Sequence, residues 1–320
     1  MALRGGIDLG GTKIQAIIAD DDHQVVGEAR RPTPTTGGPA DVIAALADAQ
    51  REAAAAAGVK TTDLAGVGLG APGDVDAAAG TIAQAGNLPD WQAAVPVAKL
   101  LGDELGARVA IGNDVSVATN AEFELGAGKP FQSVLGVFWG TGVGGGLILN
   151  GQEWNGRGAA GEIGHMVVKE GGAQCPCGRL GCMEAYAGRK AMELEARRRH
   201  DEGEHTHLFK FMQDKGRDRL TSSIWAKALE HHDKLAGHLI DRAYRALGTG
   251  VASAINLLDV EAVILGGGLG VRFGEGAAQR LATEMQPHLF NDDRPPVVAV
   301  ASLGDFGGAL GAAMLVDAAA

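Results

Sequence analysis

Apolar and polar positions fall into two passages with the same order of elements. The first predicts a strand over Leu3–Leu9, a turn at Gly10-Gly11, a strand over Lys13–Ala19, a turn at Asp20-Asp21-Asp22 and a third strand over Gln24–Arg31, a β-meander. The Pro/Thr/Gly stretch from Pro32 to Pro39 ends it, and an Ala-rich helix follows over Asp41–Ala57, stopped by Gly58. Strands over Leu64–Leu69 and Arg108–Ile111 flank a helix near Pro96–Leu105, the alternation of a sheet with crossover connections. Val115–Leu125 reads as a further helix.

The second passage begins with a strand over Ser133–Trp139, turns through GTGVGGG and returns from Leu147–Leu149. Helices are predicted over Glu184–Arg199, Ser222–Glu230 and Lys234–Leu257. A strand over Ala262–Leu265 ends in three glycines, a strand covers Val297–Ala301, and a last helix covers Phe306–Asp317. The two halves repeat an order of elements but no demonstrable sequence. The charged, weakly periodic segment Arg197–Arg219 is predicted to be a solvated excursion, with His205 and His207 as surface residues.

Composition narrows the class. Fifty of the 320 residues are glycine, roughly twice the ordinary share. Because periodic apolar segments run the whole length, that glycine belongs in turns or where backbone comes close to something. The net charge of −11 argues against nucleic acid as a partner. The start, MALRGGIDLGGTK, has no apolar signal-type region, and no apolar run reaches bilayer length, so a cytoplasmic chain without membrane contact is expected.

Three glycine turns stand at strand ends. In the first, Asp8 precedes Gly10, Gly11, Thr12 and Lys13: converging backbone amides, a hydroxyl and an ammonium suit phosphate, and Asp8 suits a magnesium-bound water. The others are at Gly140 (with Thr141 and Gly142) and at Gly266-Gly267. Each alone reads as a plain hairpin; three together point to a jointly built phosphate site. Two G-x-G-x-x-G matches, from Gly68 and from Gly140, open no apolar helix and so do not predict a dinucleotide fold.

All three cysteines fall in one pattern, H-x9-C-x-C-x4-C, formed by His165, Cys175, Cys177 and Cys182. Three thiolates and an imidazole make a closed tetrahedral zinc set, which is structural because no position is left for a reactive water. Glu162 and Glu184 flank this set; beside a zinc-bound imidazole, two carboxylates can accept neighbouring hydroxyls, as a sugar offers. Taken singly, each reads as a surface carboxylate. Asn113-Asp114 ends a strand and opens a helix. Either residue suits a helix cap; alternatively, Asp114 accepts the proton of an attacking hydroxyl in phosphoryl transfer. Asn87 in GNLPDW is a further candidate for hydroxyl contacts, or an ordinary turn residue.

Taken together, DLGGTK (from Asp8), GAPG (ending at Gly73), NLPDW (from Asn87), ND (Asn113-Asp114), GTGVGGG (from Gly140) and GEIGH with CPCGRLGCME (Gly161 to Glu184) resemble the ROK family of bacterial sugar kinases, and within it the glucokinases. The resemblance covers nearly the whole chain. It implies an α/β, actin-like ATPase (ribonuclease H-like) fold of two αβ domains with the active site in the cleft between them. The corresponding domains here are residues 1–115, completed by a C-terminal helix over 306–320, and residues 116–305 with the zinc loop. The implied activity is ATP-dependent phosphorylation of glucose at its 6-hydroxyl, with Asp114 as catalytic base. Gly73, Asn87, Asn113, Glu162, His165 and Glu184 would contact the sugar, the glycine turns would hold ATP and magnesium, and the chain would be a homodimer. Mannose, fructose or an N-acetylhexosamine as substrate, and polyphosphate as donor, stay open, as does a sugar-sensing binding protein. The DNA-binding segment of the family's repressors would precede a loop that begins here at residue 8, so a repressor is not expected.

Overall fold

The computed structural model describes residues 2–86 and 88–318. Two compact units divide the chain: one runs through Gly126 and includes residues 155–158 and the chain from Ser302, and the other comprises 127–154 and 159–301. The first is built on a five-stranded sheet. Strands β1 (Arg4–Leu9), β2 (Lys13–Ala19) and β3 (Val25–Pro32) form the predicted antiparallel meander. After helix α1 (Pro39–Ala56) come β4 (Gly66–Ala71), a small hairpin of β5 (Asp74–Asp76) and β6 (Thr81–Ala83), helix α2 (Val97–Leu105), β7 (Val109–Asn113) and α3 (Asp114–Glu124). The order is β3-β2-β1-β4-β7, with β4 and β7 parallel to β1. One face packs Ile7, Leu69 and Ile111 against Leu46 of α1 and Leu101 of α2.

In the second unit, β8 (Val134–Trp139), β9 (Val143–Leu149) and the short β10 (Gln152–Glu153) are again an antiparallel meander. Helices α4 (Glu184–Ala187), α5 (Arg189–Asp201), α6 (Leu208–Asp214), α7 (Ser222–Glu230) and α8 (Lys234–Leu258) follow, then β11 (Ala262–Gly266), α9 (Gly267–Met285) and β12 (Val297–Val300). The order β10-β9-β8-β11-β12, with β11 and β12 parallel to β8, repeats the topology of the first sheet. The long α8 starts cleanly because the Asp233 carboxylate accepts the Ala236 amide at 2.9 Å. Its apolar stripe, including Leu239, Leu247 and Val251, lies in the core with Trp139 and Trp225.

The last helix, α10 (Gly307–Ala318), covers the other face of the first sheet, where Ile17 meets Ala309, Leu310 and Ala313. Here glycine has a role that turns alone do not explain. Gly6 and Gly68 are paired across β1 and β4, and a Cβ on either would strike a backbone carbonyl of α10, that of Ala309 or of Ala312. Neither carbonyl sits on a flexible side chain, so the clash can be relieved only by moving the helix. Gly68→Ala is expected to lower unfolding stability by about 3 kcal/mol, the upper part of the usual overpacking range. Urea denaturation checks this; a loss under 1 kcal/mol would mean that α10 shifts freely.

Four features depart from the sequence expectation. Helix α3 belongs to the first unit, so the expected boundary at 115/116 falls inside a helix that packs on α10. The helix expected over Glu184–Arg199 breaks at Gly188, whose extended ψ of 131° lets the Arg189 and Lys190 amides donate to the carbonyls of Gly140 and Thr141. Helix α9 was not anticipated after the three glycines; its glycine-rich first half hides the helical period, and Gly274 kinks it at φ 57°. The segment Arg197–Arg219 is not merely a solvated excursion: α6 lies within it, with Leu208 and Phe211 buried in the core.

Candidate active site and metal centre

The parallel strands of the first unit bring the expected chemistry to one sheet edge. Register sets Asp8 beside Gly70 and Ala71 beside Asn113, at the carboxyl ends where open αβ sheets bind ligands. Asn113 is the cap of α3: its side-chain oxygen accepts the amides of Val115 at 3.0 Å and Ser116 at 3.2 Å. Asp114 is therefore the first helical residue rather than the cap, half-buried, with its Oδ1 accepting the Val115 amide at 2.9 Å. Gly73 leaves β4 with φ 96°, and a Cβ there would approach the Ala83 carbonyl at 2.6 Å. Asn87 lies outside the described residues.

In the first glycine turn the Gly10 amide donates to the Lys13 carbonyl at 3.0 Å, and the Thr33 hydroxyl donates to the Gly10 carbonyl at 2.6 Å. The Gly11 and Thr12 amides make no hydrogen bond among the described residues, so they are the donors this turn can offer an anion. Lys13, expected to meet phosphate, is ion-paired with Asp305 at 2.9 Å. The sequence held no signal for that partner, which lies 292 residues away. Asp8 is pressed by the start of α10, where a Cβ on Gly308 would be 2.8 Å from its Cγ. Burial pushes the Asp8 carboxyl up to about 6, with Lys13 pulling it down and Asp305 pushing it further up. A raised carboxyl pKa means that the folded state holds the proton more tightly, so stability falls as pH rises from about 4 through 6. Asp8→Asn is accordingly expected to stabilise the protein at pH 7.5, with the gain vanishing near pH 4. Melting curves at the two pH values check it, and equal gains at both would refute it.

In the second unit, two of the three glycine turns adjoin. Gly266, at the end of β11, lies opposite Phe138 of β8, and Gly267 has φ 76°. A Cβ on Gly267 would be 2.6 Å from the Trp139 carbonyl oxygen, so that junction admits only glycine. The neighbouring turn is closed by the Gly140 amide donating to the Gly142 carbonyl at 3.0 Å. Arg189, which sequence reasoning passed over, secures it: its guanidinium donates to the Thr141 hydroxyl and to the Leu220 carbonyl, each at 2.8 Å. Only the break at Gly188 could have flagged it, because the break starts a helix against that turn.

Glu184 also anchors on the glycine turn, its Oε2 accepting the Val143 amide at 2.9 Å. Pairing of Val167 with Cys182, and the Met183 amide donating to the Met166 carbonyl at 2.9 Å, lead His165 and Glu184 off the same end of a short antiparallel pair. Glu162 lies 3.7 Å from His165 Nε2. That leaves Nδ1 for the cysteines, 3.7 Å from Cys175 Sγ.

The donor atoms of His165, Cys175, Cys177 and Cys182 all lie within 4.8 Å of one another, and Cys177 Sγ is 3.7 Å from Cys182 Sγ. Zinc–sulfur bonds of about 2.3 Å in a tetrahedron give sulfur–sulfur edges of about 3.8 Å, so the set fits zinc. Burial pushes the Cys175 thiol up to about 12, a direction that a bound cation reverses. Among the described residues no helix is long and apolar enough to cross a membrane.

Glucokinase of Halalkalibacterium halodurans is 32% identical over 319 residues, covering 97% of this chain and 94% of the relative. N-acetyl-D-glucosamine kinase of Pectobacterium atrosepticum is 31% identical, covering 97% of each. A ROK family glucokinase from Streptomyces griseus, solved with glucose and AMPPNP, superposes with a TM-score of 0.84 at 30% identity, covering 98% of this chain and 99% of that one. Residues 4–319 match the ROK family, and the chain belongs to it.

Proposed function

We propose that the chain is an ATP-dependent hexose kinase that phosphorylates glucose at its 6-hydroxyl. The observation that carries this reading is the likeness, over nearly the full length, to glucokinases that include one solved with glucose and an ATP analogue. In this reading Asp114 is the catalytic base. A carboxylate cannot ionise an alcohol beforehand, so Asp114 orients the hydroxyl and takes its proton late, as the phosphoryl group departs. Asn113 contributes by capping α3, which spares the neighbouring carboxylate that task. In the second unit the turns at Gly140 and Gly266-Gly267 would hold nucleotide phosphates, and in the first Asp8 would hold a magnesium-bound water, the ion's charge offsetting the cost of a buried carboxylate. Magnesium-ATP, when bound, supplies the phosphoryl group and offsets its charge. Glu162, His165 and Glu184 would accept or donate at the sugar hydroxyls, held in place by zinc on the cysteine side of the imidazole. A cytoplasmic homodimer belongs to the same proposal.

One second reading has its own support: a relative of equal coverage acts, by its name, on N-acetyl-D-glucosamine. A panel of glucose, mannose, fructose, N-acetylglucosamine and N-acetylmannosamine with ATP, read as ADP release, decides between them. Glucose is expected to give the highest kcat/KM; turnover only with an acetylated sugar would overturn the glucose reading, and no turnover with any of the five would overturn hexose kinase activity.

A further inference from the structure

The loop bearing the cysteines and α8 line an open concavity of about 300 Å³ in the second unit, at the small end of ligand-pocket volumes. Lys169 lines it from the loop, Tyr186 from α4, and Arg242, Arg245 and Thr249 from α8. The α8 positions are spaced by three and four residues, so they share one helix face. Their charges are poorly matched. Lys169 and Arg245 have no ion pair among the described residues. The carboxylate nearest Arg242 is Glu195, at 3.8 Å, and both Glu195 oxygens are already taken by Arg198, at 2.8 and 2.9 Å. The Arg242 Nε is buried without a hydrogen-bond partner, while its guanidinium is held over the Tyr186 ring at 5.5 Å. Three cations thus line one cavity in a chain of net charge −11. Among the described residues no acidic side chain lines it. A partly buried guanidinium with an unmet donor is costly unless an anion completes it.

We propose that this cavity binds a compact phosphate dianion, either free or as a phosphomonoester. The fork of Arg242 suits paired phosphate oxygens, and Arg245 and Lys169 supply the remaining positive charge. Lys169 follows His165 by four residues and Tyr186 follows Glu184 by two, so an occupant bears on both segments that carry the proposed sugar contacts.

Calorimetric titration at low ionic strength tests this, with inorganic phosphate, glycerol 3-phosphate and, as a singly charged control, acetate. The variant is K169Q/R245Q, two exposed side chains without ion-pair partners, and unchanged kcat and melting temperature show that it is folded. Wild type is expected to show a phosphate site that the variant weakens at least ten-fold, and the difference between the two proteins isolates this cavity from any phosphate binding elsewhere. Equal affinity for both phosphates would identify the free dianion as sufficient; tighter glycerol 3-phosphate would identify an ester. Absence of the site in wild type, phosphate binding unchanged in the variant, or acetate bound as tightly as phosphate would each overturn the proposal.

Discussion

Asp114→Asn is expected to lower kcat by about 10²- to 10⁴-fold, the usual contribution of a positioned general base, while the KM for glucose stays within a few-fold of wild type. The substitution keeps a carbonyl oxygen able to accept the Val115 amide that Asp114 Oδ1 accepts at 2.9 Å, so the first turn of α3 is retained. Because Asn113 supplies the cap, any loss cannot be ascribed to an uncapped helix. Coupled ADP-release kinetics on the folded variant read the effect. A kcat within about three-fold of wild type would remove Asp114 from the chemistry and leave it as an ordinary first-turn carboxylate.

That separation of cap from base was not available in the sequence, where Asn113-Asp114 suits either role. What was legible there was periodic. Strand, glycine turn, strand appears twice, and both sheets take the same order with the first three strands antiparallel and the next two parallel. The cysteine spacing was also legible, because a closed ligand set leaves a sequence mark independent of distant partners. Interactions across long separations were not. Nothing near Lys13 points to Asp305, and nothing near Thr141 points to Arg189. The glycine excess points to turns or to close backbone approaches, and only the turns could be placed from the sequence. Gly6 and Gly68 are instead strand residues thinned for α10, and Gly311 of α10 in turn lies against the Val117 carbonyl of α3. A sequence records that a side chain is missing, but not which backbone fills the space.

Removing one of the proposed zinc ligands is expected to have the other large effect. Cys177 is the right choice because it is less buried than Cys175 and Cys182, so Cys177→Ala removes a thiolate at little packing cost. Val167 and Leu180 are half-exposed, at 56% and 49%, and the loop is crossed mainly by backbone bonds, among them Val168 to the Gly181 carbonyl at 2.9 Å and Gly181 to the Ala173 carbonyl at 2.8 Å. Net hydrogen bonds worth about 1 kcal/mol each are small beside a structural zinc site of on the order of 10 kcal/mol. Without the metal, His165 loses the constraint on Nδ1 that leaves Nε2 beside Glu162, and these two of the proposed sugar contacts become mobile. The KM for glucose is therefore expected to rise at least about ten-fold, with a smaller change in kcat, since Asp114 lies in the other unit. Elemental analysis should find about one zinc per wild-type chain and almost none in the variant. A zinc-free variant with the wild-type KM would show that the loop orders itself, and the cysteine set would then have no part in presenting His165.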